Sequence, residues 1–128
     1  MSAQGFVNLF SVVVGFIAAL FFCVGSALLT RNSIGELAGT YWNANPHLAK
    51  FLRALKAEYF CGGLALCLTF LLQFIANVPG FLPDIPLFEG VAPAVISALI
   101  AGIIVGGLLL LVRRKLLAQL ASASPTQN

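Results

Sequence analysis

The residues of this chain that could do chemistry are polar side chains set within otherwise apolar sequence. Thr69, Gln73 and Asn77 recur every four residues in a run of mostly apolar side chains. Residues three or four apart share one face of a helix, so their hydroxyl and amide groups would form a polar row. Such a row hydrogen-bonds to another helix or faces a water-filled path. We therefore regard this polar intramembrane stripe as the first candidate site.

The residue sets that usually carry catalysis are absent from the sequence. His47 is the only histidine, and the three cysteines, Cys23, Cys61 and Cys67, lack CxxC spacing and a histidine partner for a metal. There is no Ser–His–Asp set, paired carboxylate or glycine-rich phosphate loop. We predict a non-catalytic protein with no cofactor and no metal, and we interpret the cysteines as small buried side chains.

Three long apolar runs must position the polar stripe. Residues 6–30, 59–78 and 91–112 contain no charged side chain, and the chain is 60% hydrophobic and 9% charged. A soluble domain carries about a quarter of charged residues. At about 1.5 Å per residue, each run covers a hydrocarbon core of roughly 30 Å. Because each backbone group must be satisfied within its own segment, we predict a single-domain, all-α membrane protein with three transmembrane helices.

The basic residues predict how these helices are oriented. All seven follow either the first or the third run: Arg31, Lys50, Arg53, Lys56, Arg113, Arg114 and Lys115. The only charged residues in the loop of residues 79–90 are Asp84 and Glu89, which are both acidic. The positive-inside rule then predicts an outside N-terminus and an inside C-terminus. Apart from Arg31, the basic residues are expected to contact anionic lipid headgroups or a docking partner on the cytoplasmic side, and not nucleic acid. The bacterial inner membrane is the expected location.

Residues 31–58 are predicted to form a cytoplasmic interfacial segment. The pair Asn45-Pro46 favours a helix start. Apolar residues then recur at helical spacing among the lysines and arginines, which is typical of a basic amphipathic helix in the headgroup region. Glu58, next to the second run, is interpreted as an interfacial charge or, alternatively, as an ion-attracting group at a pore entrance.

Two further segments are predicted to be non-helical. The outer loop, residues 79–90, contains three prolines and two glycines. Each proline removes a backbone donor and restricts its predecessor, so a continuous helix is excluded there. Residues 122–128 are small and polar, and we expect a disordered tail.

Small residues recur along the first and third runs at four-residue intervals: Gly15 and Ala19, and Ala94, Ala98, Gly102 and Gly106. Helices in a bilayer associate where small residues let their backbones approach closely, and residues 102–106 form a GxxxG motif. A four-residue repeat drifts around a helix of 3.6 residues per turn. Each stripe is therefore a winding band, which predicts packing between crossed helices.

Three functions remain open on the sequence alone. The first is a non-catalytic accessory or assembly subunit of a larger membrane complex, packed through these stripes against other membrane subunits. The second is a homo-oligomeric pore-former whose lumen is lined by the polar stripe. Three spans, an outside N-terminus, a basic inside C-terminus and a small size resemble the topology of class I phage holins. The third is a small oligomeric transporter for an uncharged solute.

Overall fold

A computed structural model of the chain describes residues 1–28, 46–82 and 85–122. These residues form three helices, α1 (Ala3–Leu28), α2 (Pro46–Asn77) and α3 (Val91–Ser122). The described residues contain no strand beyond an isolated bridge between Ser2 and Pro86. All three helices are long and apolar enough to cross a membrane. The prediction of an all-α fold with three candidate spans is confirmed, and it indicates a multi-pass integral membrane protein.

Two of the helices extend beyond the predicted apolar runs. α2 begins at Pro46, the residue that the sequence favours as the first helical position, and joins the amphipathic segment to the second run without a break. α3 continues through Arg113 to Ser122. An unbroken helix satisfies its backbone groups internally, which favours this continuity. The predicted features at residues 31–45 lie outside the described residues, and so does the predicted tail of residues 122–128 except for Ser122, which belongs to α3 and corrects the start of that tail.

The three helices pack around a core in which small and medium-sized side chains predominate. α1 contacts both other helices and contacts α2 most extensively. The buried cluster contains, from the three helices in turn, Val14, Ala18, Phe21, Cys61, Ala65 and Leu109. Alanine, cysteine and valine occupy little space, so these backbones approach one another closely.

The N-terminus pairs with the connection between α2 and α3. The Met1 ammonium group donates a hydrogen bond to the Phe88 carbonyl oxygen at 2.6 Å. The Leu87 N–H donates to the Met1 carbonyl oxygen at 3.0 Å. The start of α1 therefore lies beside the start of α3, at what we call the loop end of the bundle. The opposite end, where Arg113, Arg114 and Lys115 follow the apolar part of α3, is called the basic end.

Candidate functional site

A partly buried ion pair joins α2 and α3 near the basic end. Arg113 Nε donates to Glu58 Oε1 at 2.5 Å, and the Glu58 side chain is 2% exposed while that of Arg113 is 32% exposed. An isolated carboxylate would be strongly disfavoured in such a place. Arg113 supplies the compensating charge and a charge-assisted hydrogen bond. Glu58 therefore lies in the contact between α2 and α3. The sequence had suggested a charge exposed at the membrane–water boundary.

The crossing of α2 and α3 places these two side chains together. One turn further into the bundle, the Cys61 thiol donates to the Leu109 carbonyl oxygen at 3.6 Å. Glu58 precedes Cys61 by three residues, and Arg113 follows Leu109 by four, so each lies on the same helix face as its neighbour. The sequence alone did not predict this pair. Steps of four, four and three residues back from Thr69, through Ala65 and Cys61, would have reached Glu58.

An apolar groove of about 420 Å³ lies between α1 and α3 and ends at the ion pair. Its walls include Phe16, Ile17, Leu20, Leu99, Ile103 and Leu110. Glu58 and Arg113 are its only charged lining residues within the described part of the chain. The groove is thus apolar along most of its length and charged at one end. Sequence periodicity did not predict this arrangement.

The structure brings the first residue of the polar stripe into the helix interface. Thr69 is 6% exposed, and its Oγ1 donates to the Ala65 carbonyl oxygen at 2.9 Å. A Cβ atom built on Gly15 would lie 3.3 Å from Thr69 Cγ2, so α1 passes directly over this residue. Thr69 therefore faces α1 of the same chain.

The other two residues of the stripe diverge from Thr69. Asn77 is exposed, and its Nδ2 donates to the Gln73 backbone carbonyl at 2.7 Å. Gln73 is half-buried, and within the described residues its side-chain amide makes no hydrogen bond. Because α2 advances by 100° per residue, four-residue steps rotate by about 40° each. The row consequently turns from the α1 interface toward the outside of the bundle.

The small residues of α3 pack within the chain. Ala94 and Ala98 are fully buried, and a Cβ atom added to Gly102 would overlap Val13 Cγ1 of α1. Gly106 is half-buried, and its added Cβ would lie 3.7 Å from the Ile17 side chain. The GxxxG motif therefore serves the α1–α3 contact of one chain.

The buried row of α1 differs from its predicted small-residue stripe. Ser11, Val14, Ala18 and Phe21 are buried, whereas Ala19 is exposed. Steps that alternate between three and four residues stay on one face, while repeated four-residue steps drift away from it. Because Ala19 is exposed, its predicted role in helix packing would require contact with another chain, and it stays a prediction.

The predicted headgroup contacts occupy different environments. Lys56, Arg114 and Lys115 are exposed, Arg53 is half-buried, and Arg113 is held by Glu58. The side chain of Lys50 lies outside the described part of the chain. Contact of these residues with lipid or with a docking partner stays a prediction.

The interpretation of the cysteines as buried side chains requires correction. Cys61 is buried, but Cys23 and Cys67 are exposed, and all three are free thiols. Both exposed cysteines lie on outward helix faces in an apolar run, where the surroundings themselves are expected to be apolar. Among the described residues, no group of three His, Cys, Asp or Glu side chains could hold a metal ion.

Two features therefore stand out from ordinary helix packing: the groove that ends at Glu58 and Arg113, and the amide of Gln73 at the edge of α2. Neither has the geometry of a nucleophile with its base. No protein-family model, curated protein or solved structure matches the chain.

Proposed function

We propose that the chain is a non-catalytic accessory or assembly subunit of a larger membrane complex, docked through α2. The observation that carries this proposal is the amide of Gln73, which makes no hydrogen bond among the described residues. It lies four residues, just over one turn, before the end of α2. An amide in an apolar medium is costly without a partner. A hydrogen bond across a helix contact, worth about 0.6–2 kcal/mol, would satisfy it.

The residues around Gln73 form a surface suited to such a contact. Gly63, Leu66, Phe70, Gln73 and Asn77 follow one another at alternating steps of three and four, which is the spacing of a helix-packing seam. We call these five residues the Gln73 face. Phe70 is 62% exposed, and a Cβ atom added to Gly63 would meet nothing within 4 Å among the described residues. A large side chain and an open glycine suit interdigitation with a second helix.

The pore-forming alternative has less support. It requires Thr69, Gln73 and Asn77 to face one lumen, yet Thr69 is covered by α1 at Gly15. Lining a lumen with all three residues would require α1 to separate from α2. Their extensive contact opposes that separation. The transporter alternative has no specific observation in its favour.

Site-specific photocrosslinking tests the docking surface. A benzophenone amino acid at position 70 should crosslink to a different membrane protein in native membranes. The matched position is Leu71, which is also exposed but lies 100° away around α2. Crosslinks at position 70 only to lipid, or equal protein crosslinking at both positions, would contradict the proposal. Crosslinks only between copies of the chain would favour the pore-forming alternative.

The orientation is also proposed, with an outside N-terminus, an inside C-terminus and the start of α2 in the cytoplasmic interface of a bacterial inner membrane. Its support is the charge asymmetry, because basic residues follow α1 and the apolar part of α3. A green fluorescent protein fused after residue 128 should fluoresce. If alkaline phosphatase fused at the same position were active instead, the C-terminus would lie outside and the proposed orientation would be wrong.

A further inference from the structure

The groove between α1 and α3 has the length of a single lipid leaflet. Its α1 wall runs from Val13 to Val24. Eleven steps of about 1.5 Å give a length of about 16 Å. This is close to half of the roughly 30 Å hydrocarbon core. The groove therefore matches one extended acyl chain that enters from the basic end.

Arg113 leaves hydrogen-bond donors available at the end of this groove. A guanidinium group has five N–H donors in a planar fork. Its Nε binds Glu58, and within the described residues the terminal nitrogens make no hydrogen bond. The side chain is 32% exposed and lines the groove. A ligand in the groove would thus meet an oriented fork whose terminal donors are not occupied by any described residue.

The charge at this end favours an anion. Glu58 balances the charge of Arg113, but Arg114 and Lys115 follow directly and are both exposed. The basic end of the bundle therefore carries a positive excess near the groove, whose own two charged lining residues, Glu58 and Arg113, balance each other. A guanidinium fork matches the geometry of a phosphate group. Basic pockets between membrane helices are known to take anionic lipid headgroups.

The geometry points to a binding site for one anionic phospholipid, with its phosphate on Arg113 and an acyl chain in the α1–α3 groove. An anionic phospholipid has a charged headgroup at one end and a long apolar chain beyond it. The site has Arg113 at the basic end and the apolar groove beyond it, so the two match end to end. Glu58 is a positioning residue, because it holds Nε and leaves the terminal nitrogens to the ligand. The site shares no residue with the Gln73 face, so it does not depend on the proposed docking function.

Native mass spectrometry of the purified, delipidated full chain tests this site. Phosphatidylglycerol and phosphatidylcholine with identical acyl chains would be titrated as separate probes. One phosphatidylglycerol should be retained in preference to phosphatidylcholine. Arg113→Gln should weaken this retention by about thirtyfold, the effect of losing charge-assisted hydrogen bonds. The control Arg114→Gln removes the same charge one residue away and should cost no more than about fivefold.

Further variants separate loss of binding from loss of folding. Arg113→Gln leaves Glu58 buried without its partner, so the double variant Glu58→Gln/Arg113→Gln removes both charges. It should also lose phosphatidylglycerol, while Glu58→Gln alone should retain it. Ile103→Trp, at an exposed position in the groove wall, should reduce binding with the headgroup site intact.

Several outcomes would overturn the lipid assignment. Equal losses in Arg113→Gln and Arg114→Gln would reduce the effect to general surface charge. Equal retention of the two lipids would remove any role for the anion. A copurifying protein displaced by Ile103→Trp would identify a partner helix as the occupant of the groove.

Discussion

At the scale of single residues, the pair formed by Glu58 and Arg113 has an asymmetric energetic role. Glu58 loses its water on burial and Arg113 loses part of its own, and their attraction together with a 2.5 Å hydrogen bond offsets that loss. The pair adds modest net stability as a unit, but each member makes the other tolerable. Removing one therefore differs greatly from removing both.

A double-mutant cycle measures this dependence. Arg113→Leu should lower the free energy of unfolding by about 3–5 kcal/mol, because it leaves the Glu58 charge buried without a partner. Glu58→Gln/Arg113→Leu should recover most of this loss. Reversible unfolding in mixed micelles would supply the values. If the double variant lost the sum of the two single losses, the pair would not be coupled.

At the scale of elements, glycine sets how closely α1 and α3 approach. Gly102 faces Val13 without room for a Cβ atom, whereas Gly107 has nothing within 4 Å among the described residues. Both lie in α3, and their intrinsic helix propensities are the same. Gly107 is therefore a matched control for substitutions that test the contact of Gly102 with α1.

Substitution of these two glycines should separate packing from propensity. Gly102→Leu should destabilise the bundle by about 1–3 kcal/mol, because α1 must move away. Gly107→Leu should be neutral or slightly stabilising. Thermal melts of the detergent-solubilised chain, followed by circular dichroism, would compare them. Equal melting temperatures for the two variants would remove Gly102 from the helix contact.

The adjacent glycines of α2 distinguish internal from external packing. A Cβ atom on Gly62 would lie 3.2 Å from the Phe22 ring, whereas one on Gly63 would meet open space among the described residues. Gly62→Leu should therefore lower stability. Gly63→Leu should leave stability unchanged and weaken partner retention, because Gly63 belongs to the Gln73 face. Unfolding measurements and quantitative pull-down from native membranes would report the two effects. Partner retention that survives Gly63→Leu would argue against docking at this face.

At the scale of the whole molecule, the lengths of the apolar runs predicted the three candidate spans. A helix that crosses a bilayer needs about 20 consecutive apolar residues, and such runs can be recognised in the sequence without a structure. Charge-free runs could not predict where the helices end. α2 begins 13 residues before the second predicted run and α3 ends ten after the third, since neither boundary contains a helix-breaking residue.

The candidate sites were less accessible to sequence reasoning. Thr69, Gln73 and Asn77 follow one another at four-residue steps in the sequence. Which of them α1 covers depends on how α1 crosses α2, and that crossing places only Thr69 in the interface. The ion pair and the groove require the relative placement of two helices that are distant in sequence. A helical period places residues on a face and does not specify which helix that face meets.

Native mass spectrometry of the tagged chain, extracted with its surrounding lipid by a membrane-solubilising polymer, tests whether α2 docks against a second membrane protein. We expect a complex that contains a second, different membrane protein. Gln73→Leu should reduce its retention by about fivefold, the equivalent of one interhelical hydrogen bond of about 1 kcal/mol. Leu71→Ala, on a different face of α2, should leave it unchanged. A monodisperse monomer that carries only lipid, in the wild type as in Gln73→Leu, would show that α2 docks against no second membrane protein.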